Sequence, residues 1–433
     1  MSTGLKNLFF DQSLLEHGNA EARFLKVRNE SERLSAPLTE KDCAVQSMLE
    51  ASPVKWNLAH TSWFFETFLL KKFLPDYQLF DDEFPYFFNS YYEAEGARQP
   101  RGKRGILTRP DLARVMKYRT QVTEAIAQLI GQSQKTENWQ QIATLIDIGC
   151  HHEEQHQELL LTDIKHVFFS DPLKPVYFQP EPRERRDAPD LGWVFFEAGV
   201  TEIGHSGEGF GFDCEGPRHR IFLESFSLAN RLATNGEYLE FIQDGGYSRT
   251  EFWLTDGFDW VLRENLDHPI YWQKDADGWQ QFTLHGMASL DPSEPVSHLS
   301  YYEANAFAKW SGCRLPYEGE LEQAVGSIKL DGTVNDLASG LLMPRVAVTA
   351  DGIKQLAGEV WEWTLSAFAP YPGFQAEDGA LGEYNGKFMC NQFVLRGGSC
   401  LTPAGHWRPT YRNFFYPDAR WQMTGIRLAR TEK

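Results

Sequence analysis

A proline-rich break divides this chain into two parts that cannot share one architecture. Residues 170–190 read SDPLKPVYFQPEPRERRDAPD, with five prolines and a run of charge. Proline has no amide proton to give a helix, and its ring clashes with the preceding turn. No helix crosses this segment, which reads as a linker over residues 171–190.

Before the break the chain is helix-periodic. Residues 56–74, 110–132 and 138–169 carry apolar side chains at i, i+3, i+4 and i+7. A further helix is expected near residues 11–34, and Pro110 suits a first helical position. Four long helices predict a bundle over residues 1–170. After the break, residues 191–433 bring glycines, tryptophans and short strands: WVFFEAG, VTEIG, HRIFLESFSLA, FVLRGGS and TGIRLAR. Two short helices interrupt them, capped by Thr234 and Ser300. This pattern predicts an α+β domain held by aromatic packing.

Composition narrows the partners. The formal net charge of −18 repels polyanions, which argues against nucleic acid and for small molecules. No apolar run reaches the roughly 18 residues of a membrane span. The first residues lack the apolar stretch of a signal peptide. Six scattered cysteines (Cys43, Cys150, Cys214, Cys313, Cys390, Cys400) form no CxxC pair and favour a reduced, cytoplasmic setting. No oligomeric state is implied.

The densest chemical signal is the run from His151 to Glu158, HHEEQHQE. His152 and His156 stand four apart on an expected helix, one turn apart on one face, where two imidazoles can chelate one ion. Glu158 lies about 200° round the helix from His156 and points elsewhere. A solvated polar face has the same letters, but three of the twelve histidines fall within these six residues. His152, Glu153 and His156 also match the HExxH pattern of zinc proteases. Its extended form fails, because Thr162 occupies the third-ligand position. His60, in WNLAHTSW, is a core histidine or the third ligand from a facing helix. Three neutral imidazoles leave about three open positions on an octahedral ion, which suits a redox iron.

These residues resemble a known family. His60 in WNLAHT, Tyr91-Tyr92 in FNSYYEA, RGILTRP and HHEEQHQE are similar to the DinB-like domain of ergothioneine-type sulfoxide synthases. The second half resembles formylglycine-generating-enzyme domains, which have a C-type-lectin-like fold. The matching pieces are PVSHLS from Pro295, GCRLP from Gly312, GEVWEWT from Gly358, RGGS from Arg396 and GIRL from Gly425. The resemblance spans nearly the whole chain. It implies Fe(2+) held by His60, His152 and His156, and coupling of a thiol to C2 of hercynine (trimethylhistidine) with O₂ to give a sulfoxide. True formylglycine generators carry a cysteine pair after RGGS. Here Cys400 stands alone, so that activity is not expected, and the second domain is read as a lid and substrate-binding wall.

The resemblance also implies substrate contacts. Gln155 matches a glutamine that touches the imidazole substrate, and Arg101 and Arg104 match arginines that clamp the thiol's carboxylate. Asn413, Phe414 and Phe415 offer an amide and aromatic faces to a trimethylammonium group. Some relatives have a tryptophan and an acid at Phe414 and Phe415. Loss of the acid favours free cysteine over γ-glutamylcysteine. One member of Tyr91/Tyr92 is the expected proton donor. Being adjacent, the two are not expected to aim at one spot. Rival readings are ovothiol-type coupling, a selenium donor, a zinc thiol transferase and a non-enzymatic lectin-like binding module.

Overall fold

A computed structural model of the protein describes residues 9–16, 18–179, 185–327, 334–349 and 351–432. The chain forms two compact units. The first holds the chain up to Leu173 together with Ser206–Gly216 and Gly373–Lys387; the second holds Lys174–His205, Pro217–Pro372 and Phe388–Lys433. Residues 180–184 of the expected linker and residues 1–8 lie outside the described residues.

The first unit is a helical bundle. Its helices are α1 (Asn19–Ser35), α2 (Val54–Phe65), α3 (Lys71–Phe73), α4 (Phe84–Phe88), α5 (Leu112–Ser133) and α6 (Trp139–Ser170). A π-helical turn, Glu66–Leu70, joins α2 to α3, so the long helix expected over 56–74 is continuous but locally underwound. Amphipathic α1 buries Phe24, Val27, Ser31 and Leu34 at helical spacing against α6. α2 is buried on every face, because it packs on both α5 and α6. The packing of Phe65 of α2 on α6 needs Gly149: a Cβ there would meet Phe65 Cε1 at 2.4 Å. Pro110 is not a first helical residue. Asp111 caps α5 by accepting from the Arg114 amide, so the helix begins at Leu112. The first predicted helix likewise starts later, at Asn19, after Gly18 turns the chain with φ of 82°. No helix among the described residues is long and apolar enough to cross a membrane.

The second unit is α+β. Its twelve described strands are β1 (Trp193–Phe196), β2 (Gly199–Ile203), β3 (His219–Leu223), β4 (Phe226–Ala229), β5 (Trp272–Asp275), β6 (Gly278–Thr283), β7 (Gly286–Ser289), β8 (Trp361–Ala367), β9 (Phe393–Arg396), β10 (Asn413–Phe415), β11 (Thr424–Gly425) and β12 (Ala429–Thr431). They pair as β1-β4-β12, β10-β9-β8-β11, β2-β3 and β5-β6-β7. Leu223, Phe226, Leu228, Leu321, Val325 and Leu356 form part of its core. Thr234 and Ser300 each cap a helix through a reciprocal bond with the glutamate three residues on. The stretch TGIRLAR, expected as one strand, is split between β11 and β12. The chain passes here from one sheet to another, β11 pairing with β8 and β12 with β4, and Arg427 between them turns inward to pair with Glu362 at 2.8 and 2.9 Å.

Candidate metal centre

α2 supplies His60, and α6 supplies His152 and His156 one turn apart. One ring nitrogen from each lies within 4.8 Å of the other two. The rings meet edge to face, with centroids 4.7 to 4.9 Å apart. Trp56 and Trp63 sandwich His60 from either side, at 4.7 and 5.5 Å and nearly parallel.

Burial holds all three imidazoles neutral, with His152 pushed down to about 3 and the other two well below their usual value. Mutual repulsion adds to burial for His60 and His156. Neutral imidazole is the form that binds a metal. The partner of one ring fixes its tautomer. His60 Nδ1 donates to the Phe88 carbonyl at 2.6 Å, which leaves Nε2 bare, and that Nε2 sits 3.2 Å from His152 Nε2. His152 Nδ1 is buried without a hydrogen-bond partner among the described residues. Three buried, neutral imidazoles with one ring nitrogen each converging fit a divalent transition metal, which would draw on all three.

Glu153 faces away from this cluster. Fully buried, its carboxylate accepts from Arg28 at 2.8 Å, Arg119 at 2.9 Å and Ser31 at 2.6 Å. Burial opposes its charge, yet the two guanidiniums hold it below the usual carboxylate range. A glutamate so engaged is no general base beside a metal, and the zinc-protease match is a coincidence of letters.

The other expected site residues distribute as follows. Gln155 is half-buried and accepts a hydrogen bond from the hydroxyl of Tyr384. Arg104 is buried, lies 3.3 Å over the Trp56 ring and donates to Ser52 Oγ at 2.8 Å; Arg101 is exposed. Tyr91 and Tyr92 stack at 4.6 Å with their hydroxyls 3.5 Å apart, so the adjacent pair does converge on one spot. The expected alternation fails because the segment is a turn rather than a strand or helix, folded back by Asn89 bonding both polar groups of the Tyr92 backbone. Tyr92 is buried against Trp63, Phe64 and Phe68, and burial raises the pKa of both tyrosines. Asn413, Phe414 and Phe415 form β10 of the second unit, where Phe414 stacks on Phe368 at 4.0 Å.

Sequence reasoning missed two residues at the cluster. Tyr384, in the glycine-rich stretch GALGEYNGK, packs its ring 5.7 Å from that of His152 and 5.3 Å from Phe212. Asn57 Oδ1 sits 2.9 Å from His156 Nδ1. Its position three residues before His60, on the same helix face, was the clue available.

Residues 178–334 and 344–432 match the Sulfatase-modifying factor enzyme 1-like domain, and residues 23–160 match the DinB superfamily. The chain is similar to the hercynine oxygenase of Mycobacterium tuberculosis, 32% identical over 53% of this chain and 58% of that protein. Ergothioneine biosynthesis protein 1 of Schizosaccharomyces pombe is 30% identical over 51% of this chain and 28% of its own length. The formylglycine-generating enzyme of Streptomyces coelicolor is 26% identical over 55% of this chain and 88% of its own. The matches thus span little more than half of the mycobacterial relative.

Proposed function

We propose that this chain, which belongs to the Sulfatase-modifying factor enzyme 1-like family and joins that domain to a DinB-superfamily bundle, is an iron(II)- and O₂-dependent sulfoxide synthase. It would couple a thiol, cysteine or γ-glutamylcysteine, to C2 of hercynine in ergothioneine biosynthesis. The observation that carries this reading is the convergence of His60, His152 and His156, taken with the similarity to hercynine oxygenases.

The electron count closes. Joining an imidazole C–H to a thiol S–H removes two electrons, and oxidising the sulfur to a sulfoxide removes two more. O₂ accepts four, so no external reductant is needed. His60, His152 and His156 would hold the iron, which when bound would supply the one-electron chemistry that lets O₂ react with closed-shell substrates. The residues do the rest. Three neutral ligands leave the ion's charge uncompensated and so favour a thiolate beside it. Arg104 and Arg101 offer guanidiniums to the thiol's carboxylate. Gln155, oriented by Tyr384, offers an amide to the substrate imidazole. The hydroxyls of Tyr91, Tyr92 and Tyr384 are the candidate proton donors. Burial keeps the first two protonated at neutral pH.

The test is anaerobic reconstitution with Fe(II), then exposure to O₂ with hercynine or histidine against cysteine, γ-glutamylcysteine and a selenosugar. Mass spectrometry is expected to find the hercynine–thiol sulfoxide. Iron-loaded protein with no thiol-dependent product contradicts the reading.

A further inference from the structure

Two of the three imidazoles have Nδ1 engaged by a group outside the histidine cluster. For His60 the partner is a backbone carbonyl, that of Phe88. For His156 it is a side chain, Asn57, only 3% exposed. Asn57 and His60 share α2 and are three residues apart, so one helix carries both a candidate ligand and the group that aims another on α6.

The amide is engaged at one end only. Its Nδ2 has no hydrogen-bond partner among the described residues. A purely structural buried amide is expected to satisfy both ends, since an unmade hydrogen bond costs about 1–3 kcal/mol. The polar contact it does make is to the imidazole.

We propose that Asn57 is a positioning residue for the metal centre: its amide oxygen accepts the Nδ1 proton of His156 and leaves Nε2 as the ligand atom. This rests on the reading of the three histidines as a metal site. An imidazole binds a metal only through a nitrogen without a proton, and the partner of the other nitrogen decides which one that is. The reversed amide would donate to Nδ1, drive the proton to Nε2 and remove His156 from the donor set. A neutral amide also makes the imidazole a weaker donor than a carboxylate partner would, so asparagine leaves more Lewis acidity on the ion.

The test uses the full chain, with Fe(II) affinity measured by anaerobic calorimetry and the Fe(III)/Fe(II) midpoint potential by spectroelectrochemistry. Asn57→Leu keeps the shape and loses the acceptor. Asn57→Asp keeps the acceptor and adds charge. Removing such a partner typically lowers metal affinity 10–100-fold, and that loss is expected for Asn57→Leu. Asn57→Asp should bind as tightly as the parent or tighter, with a lower midpoint potential. Parent-like affinity in Asn57→Leu overturns the proposal, as does an equal loss in both variants, which would mean that packing alone matters. If Asn57→Leu does not fold, an unchanged potential in Asn57→Asp overturns it instead. Absence of iron binding in the parent overturns the metal reading itself, and the proposal with it.

Discussion

Glu153 follows His152 in the chain yet lies among two arginines and a serine with no exposure to solvent. Removing one partner of a buried ion pair typically costs about 3–5 kcal/mol, because the remaining charges stay buried. Glu153→Ala should therefore lower the denaturation midpoint strongly, while the protein that remains folded still binds metal. His60→Ala should do the reverse, losing metal with a smaller stability change. Metal loss in Glu153→Ala with unchanged stability would place Glu153 at the ion after all. Asp147, also on α6, gives a pH signature. Burial pushes its carboxyl up to about 7 from an ordinary 3.8. Between those values the folded chain holds a proton that the unfolded chain releases. Stability from this group is complete below about 4 and lost as pH rises through 7. Asp147→Asn stays neutral and can still accept from the Asp11 amide. It should melt with the parent at pH 4 and above it at pH 8; equal melting at both pH values would show that Asp147 does not titrate there. At this scale His152 and His156 were legible because helical spacing makes a chelating pair visible. Tyr384 was not, because an aperiodic loop carries no spacing to read.

The helices were legible for a physical reason: a buried stripe must repeat every 3.6 residues. Their ends were not. The start of α5 is decided by the Asp111 cap rather than by Pro110, and the break between β11 and β12 falls where the chain crosses from one sheet to another. The crossing of α2 and α6 sets the distance between His60 and the α6 pair, and Gly149 gives Phe65 of α2 the room to pack on α6. Gly149→Ala would gain about 1 kcal/mol of helix propensity. The new methyl would press on fully buried Phe65, and overpacking typically costs about 1–3 kcal/mol. The variant should denature at lower urea and bind metal more weakly. A higher midpoint would mean that the helices part without strain.

At the scale of the molecule, the change of hydrophobic period and composition near residue 190 made a two-part chain visible. The assignment of Ser206–Gly216 and Gly373–Lys387 to the helical unit was not visible, since both are short and lack periodicity. Through them Phe210 stacks on His151 at 3.7 Å, Asn385 donates to Asp213 at 2.7 Å, and Tyr384 reaches His152. With Tyr384 on one of these segments, the proposed proton donors are Tyr91, Tyr92 and Tyr384. A positioned donor is worth about 10²–10⁴-fold in a step, or roughly 3–5 kcal/mol. Phe replacement of the acting tyrosine should preserve O₂ consumption and divert product from sulfoxide to sulfinic acid. Product analysis of Tyr91→Phe, Tyr92→Phe and Tyr384→Phe separates the candidates; unchanged sulfoxide from all three would exclude the set. The most direct test of the central claim is the ratio of O₂ consumed to sulfoxide formed by Fe(II)-loaded protein without added reductant. The account predicts one O₂ per sulfoxide in the parent and neither in His60→Ala. A requirement for an external reductant, or undiminished turnover in His60→Ala, would contradict it.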